Sequence, residues 1–332
     1  MLIYHKTEYF SKLALLNNYA EARLFLTITY YLLLITYHLE TTMHNDKTII
    51  LCPAVSRDIG FEMTRKVGEM FEKRGRRYVV CPLFDGETNG DAPLSAIKTA
   101  KLEDEVFSAE MIVTFGGDGT ILRAARAAAD LGVPILGINM GGKGFMAELE
   151  VGELEMIDSA AAGSYEIEKR MMLDAEVVRG GASVCRDFAL NDIVLRGDNK
   201  VIDLTLYGDG QIISRFSGDG AIVATPTGST AYSMAAGGPI VEPSAHNIIV
   251  TPICAHVLEA KPYVLVSDRR VSIEVGYEKH SPAYMSADGC ERVEIHSGDI
   301  IYVQRSAKYT SLVRLSDRSF YRKVSEKLGE RP

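Results

Sequence analysis

The sequence predicts a two-domain protein, in which a doubly wound, Rossmann-like α/β domain is followed by a β-rich, sandwich-like domain. Between residues 47 and 145, apolar strand patterns alternate with helical patterns, which is typical of a parallel sheet. From about residue 170 the pattern changes to short segments of alternating polarity joined by glycine turns. The length of 332 residues suits about two domains, each large enough to bury its own core.

The elements expected in the first domain are, in chain order, a strand at Thr48–Pro53, a helix at 59–74, a strand at 78–81, a strand at 111–115, a helix at 121–129 and a strand at 133–139. The expected β-rich elements are two hairpins, 175–178 with 182–185 and 203–207 with 211–213, and strands at 271–277 and 300–303. A terminal element at 320–328 is expected to pack back on the first domain. The predicted domains are therefore 47–145, completed by 312–330, and 146–311.

Residues 1–46 differ from the rest of the chain. Sixteen uncharged residues lie between Arg23 and Glu40, fewer than the roughly twenty that a membrane-spanning helix needs. The small-residue cleavage site of a signal peptide is absent. Met43 provides a natural start just before the first core strand, so we interpret the preceding residues as an appended or mis-assigned leader. A membrane tether is the alternative, and fractionation of the full-length product separates the two.

The composition is that of a globular protein, with 47% hydrophobic and 24% charged residues. A formal net charge of −8 gives no overall attraction to nucleic acid or to anionic membranes. The five cysteines form no C-x-x-C pair, and the seven histidines show no ligand spacing. We therefore expect a reduced, cytoplasmic protein with neither a nucleic-acid partner nor a metal site of its own.

A glycine-rich turn, Gly116-Gly117-Asp118-Gly119-Thr120, joins the predicted strand at 111–115 to the helix at 121–129. Glycines at such a turn allow positive φ and let a ligand approach the backbone, and the amides at a helix start attract phosphate. Asp118 has the wrong charge for merely holding phosphate, which suggests a proton acceptor or a partner of a phosphate-bound cation. The alternative is that Asp118 only caps the helix.

Two better-known phosphate motifs do not fit this turn. A Walker loop requires a Lys-Ser or Lys-Thr pair at a spacing that the turn lacks. The dinucleotide fingerprint G-x-G-x-x-G fails because Leu122 occupies its last position. Walker chemistry and an ordinary dehydrogenase are both disfavoured.

A second glycine loop, at residues 141–145, follows the strand at 133–139. In a parallel sheet, ligands bind at the carboxyl ends of the strands, and both glycine loops follow such ends. We expect the second loop to lie beside the first. This second loop either contacts a ligand or only forms a turn between the two domains.

Two polar clusters interrupt the β-rich pattern. Asn191 and Asp192 precede an apolar strand, where they are suited to read a base or ribose hydroxyls, although Asn-Asp is also ordinary turn chemistry. The second cluster begins at Asp219 and continues through a segment, 225–239, that is rich in hydroxyls and glycine. Five hydroxyls around Gly228 and the ring of Tyr232 suit a polar ligand, and for this cluster we favour the functional interpretation.

In this order, the clusters resemble the NAD kinase family over roughly residues 47–328. The segment 225–232, Thr-Pro-Thr-Gly-Ser-Thr-Ala-Tyr, is more specific than the first glycine turn, which a wider superfamily including diacylglycerol kinases shares. The matching elements are residues 116–120, 137–139 with 144–145, 170–173, 190–192, 219–220, 225–232, 251–254 and 288–289.

The resemblance implies a phosphotransferase with an alcohol acceptor, which uses ATP or polyphosphate to phosphorylate the adenosine ribose 2′-hydroxyl of NAD and gives NADP. It implies that Asp118 accepts the proton of that hydroxyl and that Arg123 lies near ligand or phosphate. Gly116, Gly117 and Thr120 are expected in the phosphate loop. The residues expected to bind NAD or nucleotide are Gly119, Arg123, Asn191, Asp192, Asp219, Thr227, Thr230, Ala231, Tyr232 and Ser233. A divalent cation, Mg²⁺ or Mn²⁺, would arrive with ATP, and the protein would be a dimer or tetramer.

The chain departs from the family pattern at three places. Gly142-Lys143 and Ala255 stand where many relatives have other residues, and Cys290 stands where they have Gln, which puts a ligand contact from that position in doubt. Two other functions agree with part of this pattern. A lipid kinase of the diacylglycerol or sphingosine type would share the first turn but does not explain the segment 225–232. A non-catalytic NAD sensor would bind NAD without forming NADP, and the intact Asp118 speaks against it.

Overall fold

A computed structural model describes residues 47–83, 98–142, 144–198, 200–257, 259–276, 282–317 and 319–329. The predicted leader at 1–46, Lys143 and the end of the predicted strand 271–277 lie outside the described residues. Among the described helices, none is long and apolar enough to cross a membrane.

The first half of the described chain is an α/β structure. Its elements are β1 (Thr48–Pro53), α1 (Glu62–Lys73), β2 (Tyr78–Val80), α2 (Leu102–Glu105), β3 (Ala109–Gly116), α3 (Asp118–Ala128), β4 (Ile135–Asn139), β5 (Leu149–Glu150) and α4 (Ile157–Ala161). Strands β2, β1, β3 and β4 are neighbours in this order, and all their pairings are parallel. Every residue of β3 is buried, as expected for a strand covered on both faces.

Helices cover both faces of this parallel sheet. Val67 and Phe71 of α1 pack on one face, and Ile121 and Ala124 of α3 pack on the other. The predicted doubly wound arrangement is confirmed.

The helix predicted at 59–74 begins later than expected. A 3₁₀ turn at Ile59–Phe61 precedes α1, because Gly60 and Phe61 have positive φ angles of 67° and 56°. The Asp58 carboxylate accepts the backbone N–H groups of Met63 (3.0 Å) and Thr64 (2.9 Å), which satisfies the first turn of α1.

The second half is almost entirely strand. Its elements are β6 (Glu166–Arg179), β7 (Ala182–Ala189), β8 (Asp192–Gly197), β9 (Ile202–Gly208), β10 (Gln211–Gly218), β11 (Gly220–Ala224), α5 (Tyr232–Ala235), β12 (Asn247–Ile253), β13 (Tyr263–Val266), β14 (Val271–Val275), β15 (Ala283–Ala287), β16 (Val293–Ile295), β17 (Ile300–Arg314) and α6 (Phe320–Leu328).

Two antiparallel sheets pack face to face in this half. In the described residues, one has the order β10-β9-β14-β17-β6-β7 and the other the order β13-β12-β11-β8-β15-β16. Side chains such as Val177, Leu195, Leu206 and Met285 fill the space between them. The predicted β-rich, sandwich-like arrangement is confirmed.

Both predicted hairpins are present. The turns that join β6 to β7 and β9 to β10 are Gly180-Gly181, with φ of 56° and 83°, and Asp209-Gly210, with φ of 50° and 79°. Two consecutive positive φ angles are characteristic of the tight turns that match strand twist, and glycine adopts them at no steric cost.

The long strand β17 connects the two halves. Its first part pairs with β14 and β6, and near its end Leu312 pairs in parallel with Ile135 of β4. After β17 the chain returns to the α/β half, where Lys323 of α6 donates to the carbonyl of Ala147 at 3.0 Å. Since the sheet is continuous through β17, the domain boundaries at 145 and 311 stay predictions.

Candidate functional site

The Asp118 turn lies between β3 and α3, at the carboxyl end of a central parallel strand. None of Gly116, Gly117 and Gly119 has a positive φ, so the expectation that these glycines serve a left-handed backbone is wrong. What they provide is space. A Cβ atom on Gly117 or Gly119 would meet no other atom within 4 Å, which leaves the backbone amides at the start of α3 open to a ligand.

The Asp118 carboxylate is held by the second glycine loop. The N–H of Phe145 donates to Oδ2 at 2.8 Å and the N–H of Met146 donates to Oδ1 at 3.1 Å. The prediction that the two loops lie side by side is confirmed. The capping alternative is wrong, because Gly117 occupies the N-cap position of α3 and no side-chain capping hydrogen bond is made there.

Opposing effects act on the protonation of Asp118. Burial raises the pKa of its carboxyl, whereas the two N–H groups and the ammonium groups of Lys323 and Lys327 lower it. Burial dominates, so the pKa is raised overall. A carboxylate with a raised pKa is a stronger base than one with the ordinary value.

Arg170 links the Asp118 region to the hydroxyl-rich segment. Its side chain is buried, and its charge interacts with that of Asp118. Its Nη1 donates to Oγ1 of Thr227 at 3.2 Å, and its Nε lies 2.8 Å from Glu168. Sequence analysis placed Arg170 in a family-matching element but gave it no role, because a lone arginine in an apolar strand has no recognisable pattern.

A cavity of about 580 Å³ lies on the outer face of the sheet that contains β8 and β15. Its floor is formed by facing residues of β8 and β15, in which Val194 pairs with Ser286 and Arg196 with Tyr284. Leu122 of α3 also lines the cavity, and it follows Asp118 by one helical turn, about 6 Å along the helix axis.

Asn191 and Asp192 line this cavity and are positioned by Asp288. The Asp288 carboxylate accepts the backbone N–H groups of Leu190 (2.7 Å), Asn191 (2.7 Å) and Asp192 (3.2 Å). Oδ1 of Asn191 is buried and has no hydrogen-bond partner among the described residues. Because Asn191 lines the cavity, a rotation of its side chain would bring this unpartnered oxygen to a ligand as a hydrogen-bond acceptor.

Asp192 is unusual because it is a buried acid beside a second acid. Burial and the charge of Asp288 raise the pKa of Asp192 to about 7. Near neutral pH a large share of its carboxyl is therefore protonated, and it is able to donate a hydrogen bond as well as accept one.

The hydroxyls around Gly228 bond mainly to the protein. Oγ1 of Thr225 donates to the carbonyl of Leu190 at 2.6 Å, Oγ of Ser233 lies 2.9 Å from Oγ1 of Thr251, and Oγ1 of Thr230 donates to the carbonyl of Thr227 at 3.2 Å. The segment therefore braces the turn at Asn191, and it presents Ala231 and Tyr232 to the cavity.

The structure does not bring every predicted site residue together. Asp219 lies at the opposite end of β8 from Asp192, where its carbonyl accepts the N–H of Gly197 at 3.0 Å. That end is about 16 Å from Asp192 along the strand. Arg123 lies on α3, about one turn after Asp118. Burial raises the pKa of Cys290, and the charge of Arg123 lowers it.

The polar residues that line the cavity include Arg196, Tyr284 and Arg292, which no sequence pattern marked, and Asp288, which belongs to a family-matching element but was given no role. Isolated polar residues in or beside alternating strands look like a solvated sheet face. The alternation on β8 and β15 does place Arg196 and Tyr284 on the same face, but only the pairing of these two strands shows it.

Within the described part of the chain, no group of three or more His, Cys, Asp or Glu side chains is suited to hold a metal ion. Mg²⁺ is commonly bound by substrate phosphates with only one or two carboxylates from the protein.

Comparison with known families matches both halves of the chain. Residues 50–167 match the ATP-NAD kinase N-terminal domain, and residues 190–315 match the ATP-NAD kinase C-terminal domain. The NAD kinase of Caldanaerobacter subterraneus is 36% identical over 289 residues, which cover 86% of this chain and 100% of the relative. The NAD kinase of Ruminiclostridium cellulolyticum is 34% identical over 282 residues, which cover 83% of this chain and 95% of the relative.

Two solved structures resemble this fold. Yeast NADH kinase in complex with NADH is 26% identical with a TM-score of 0.74, and the match covers 85% of this chain and 87% of that chain. The NAD kinase of Archaeoglobus fulgidus in complex with ATP is also 26% identical, with a TM-score of 0.64 and coverage of 85% and 98%.

Proposed function

The chain belongs to the NAD kinase family, and from this premise we propose how its residues transfer the γ-phosphoryl group of ATP to NAD. The acceptor is the 2′-hydroxyl of the adenosine ribose, and the product is NADP. Of the two similar structures, one was solved with NADH, the reduced form of this acceptor, and the other with ATP.

Asp118 is proposed as the catalytic base. The 2′-oxygen forms a bond to the γ-phosphorus while the bond from that phosphorus to the β–γ bridging oxygen breaks, so that ADP leaves. The hydroxyl proton passes to the Asp118 carboxylate. Each carboxylate oxygen that accepts one N–H, from Phe145 or Met146, keeps lone-pair capacity for this proton.

The phosphates are proposed to lie over the start of α3. The open space above Gly117 and Gly119 admits an anion to the backbone amides, and the helix dipole favours negative charge there. Gly116 and Thr120 support this loop from below, since a Cβ atom on Gly116 would come 2.1 Å from Oγ1 of Thr120. Arg123, one turn further along α3, is proposed to face ligand or phosphate.

NAD is proposed to occupy the cavity beside Leu122. The unpartnered Oδ1 of Asn191 would accept from a base amine or a ribose hydroxyl, and the protonatable Asp192 would donate to an acceptor. Tyr232 would stack on a ring, with Ala231 beside it. Thr227, Thr230 and Ser233 are proposed to hold this wall in place, and Asp219 is proposed to contact the far end of the dinucleotide.

Three further properties are proposals. Mg²⁺ or Mn²⁺ would come with ATP and neutralise phosphate charge. The protein would be cytoplasmic, which agrees with five cysteines that are all described and all free thiols. It would form a homo-oligomer. Polyphosphate is the alternative phosphoryl donor to ATP, and an assay of NADP formation with each donor distinguishes them.

One observation carries the proposal: the half-buried Asp118 carboxylate, at the start of α3, is fixed by the N–H groups of Phe145 and Met146 and lies one helical turn before Leu122, which lines the same cavity as Asn191. The test compares Asp118→Asn with the full-length wild type. We expect NADP formation to fall at least about 100-fold while NAD affinity stays within about threefold, because the amide keeps the shape but cannot take the proton.

The matched control is Asp130→Asn, an exposed acid just after α3 that pairs with Lys308. It should retain activity. An equal loss of turnover and NAD affinity in Asp118→Asn would contradict the base role. If the wild type binds NAD but forms no NADP with ATP or polyphosphate, the protein is a sensor and the kinase proposal fails.

A further inference from the structure

Glu148 is a buried carboxylate that the proposed reaction does not use. Its side chain is 1% exposed. Oε1 accepts the backbone N–H groups of Leu315 and Ser316, each at 3.0 Å, and the hydroxyl of Ser316 at 2.9 Å. Oε2 accepts from Nη1 of Arg314 at 3.1 Å and lies 3.8 Å from Nζ of Lys323. One side chain thus binds the end of β17, the segment after it and α6.

The loop that carries Glu148 also carries the two N–H groups that hold Asp118. Phe145 and Met146 donate to the Asp118 carboxylate, and the carbonyls of Met146 and Ala147 accept from Arg314 at 3.2 Å and Lys323 at 3.0 Å. Residues 145–148 therefore contact Asp118 on one side and the C-terminal segment on the other.

Charge makes this connection sensitive to the loss of Glu148. Arg314 and Lys323 are mostly buried, and burial together with the charges of Arg314 and Arg170 lowers the pKa of Lys323 to about 8. The charge of Glu148 opposes that shift. Removing Glu148 takes away the carboxylate that pairs with Lys323, and Arg314 keeps only its ion pair with Glu168. A buried charge that loses its partner is strongly unfavourable.

The loop has an anchor that does not depend on the Glu148 side chain. The backbone N–H of Glu148 donates to the carbonyl of Gly137 in β4 at 2.9 Å. The chain is therefore attached to the parallel sheet at this point in any case. The side chain adds three hydrogen bonds from Leu315 and Ser316 and a negative charge beside Arg314 and Lys323, whose bonds to the carbonyls of Met146 and Ala147 do not involve it.

We infer that Glu148 is a positioning residue for phosphoryl transfer, because it fixes the C-terminal segment against the loop and so keeps the Phe145 and Met146 N–H groups on Asp118. This inference rests on the proposed role of Asp118 as the base. Glu148 itself does not touch the reacting atoms.

The test uses Glu148→Gln and the milder Ser316→Ala in the full-length protein. Asp299→Asn is the matched control, since its side chain is also 1% exposed, accepts from Arg179 at 2.7 Å and belongs to the β-rich half. We expect Glu148→Gln to lower kcat at least about tenfold with KM for NAD within about twofold. Ser316→Ala should lower kcat less, and Asp299→Asn should leave both constants near wild type.

Amide hydrogen exchange gives a readout that does not require activity. The Phe145 and Met146 amides should exchange at least about tenfold faster in Glu148→Gln than in the wild type. Their exchange rates should be unchanged in Asp299→Asn. If Glu148→Gln does not fold, Ser316→Ala must still show a lower kcat and faster exchange of the Phe145 and Met146 amides, each by a smaller factor.

Two results overturn the inference. One is a fall in kcat that occurs in both Glu148→Gln and Asp299→Asn and is proportional to the stability that each variant loses. The other is unchanged exchange of the Phe145 and Met146 amides. If the wild type forms no NADP, the proposed function fails by itself, and the exchange experiment still decides whether Glu148 positions the loop.

Discussion

Gly144 lies directly against the carboxylate of Asp118: a Cβ atom on Gly144 would be 3.0 Å from Oδ1. That distance is shorter than ordinary contacts, so a side chain here would press on the group proposed as the base. The glycine is required for this approach and not for its backbone angle, because Gly144 does not have a positive φ.

We predict that Gly144→Ala lowers kcat about tenfold and leaves KM for NAD within about twofold, since the N–H donors of Phe145 and Met146 are displaced while the cavity is untouched. Steady-state kinetics at saturating ATP measure both constants. Gly152→Ala is the control, because a Cβ atom there meets nothing within 4 Å. Equal kcat values for the two variants would contradict the steric argument.

The pH dependence of turnover should respond to Lys323. The ammonium of Lys323 lowers the pKa of Asp118, whereas burial raises it. A base must be deprotonated to act, so activity should fall as the pH drops through the pKa of Asp118. Lys323→Met removes the positive charge, raises the pKa of Asp118 further and should move the acid limb of kcat to higher pH.

The control for this shift is Lys323→Arg, which keeps the positive charge and should keep the acid limb in place. Rate profiles between about pH 5 and 9 distinguish the two variants. A Lys323→Met profile with the limb unmoved, or moved to lower pH, would show that Asp118 does not set the acid limb.

Much of the fold could be predicted because local patterns determine it. The strand at Thr48–Pro53 and the hairpin turn at Asp209-Gly210 follow from a buried apolar run and from turn residues. The helix at 59–74 started late because two positive φ angles at Gly60 and Phe61 give no signal in a helical periodicity.

The site was only partly predictable for a different reason. Asp118 is marked by its glycines, and Asn191-Asp192 by adjacent polar side chains. Their supports are distant in sequence: Asp288 is 97 residues from Asn191, and Ser316 is 168 residues from Glu148. Local patterns contain no information on such pairs, so only the folded chain reveals them.

Asp192 should make stability depend on pH. Its pKa is about 7 in the folded protein, because of burial and the charge of Asp288, against about 3.9 in an unfolded chain. The folded state binds the proton more tightly, so this contribution to stability is complete below about pH 4 and is lost as the pH rises through 7.

We predict that Asp192→Asn, which cannot ionise, unfolds with a free energy higher than that of the wild type by about 1–3 kcal/mol at pH 8, with a smaller difference at pH 5. Urea unfolding at the two pH values measures it. Asp130→Asn changes an exposed acid and should show no such difference. If the free energies of unfolding of Asp192→Asn and the wild type differed by the same amount at both pH values, the raised pKa of Asp192 would be contradicted.

Gly228 supports the cavity by close contact with Asn191. A Cβ atom on Gly228 would be 2.1 Å from the Asn191 carbonyl oxygen and 2.8 Å from its Cα, and backbone atoms cannot yield as a flexible side chain does. We predict that Gly228→Ala displaces the turn and raises KM for NAD at least about tenfold, with a smaller effect on kcat at saturating NAD, because the Asp118 turn is not contacted. Steady-state kinetics with varied NAD measure both constants, with Gly152→Ala again as the control. A fall in kcat with KM unchanged would place Asn191 outside the NAD site.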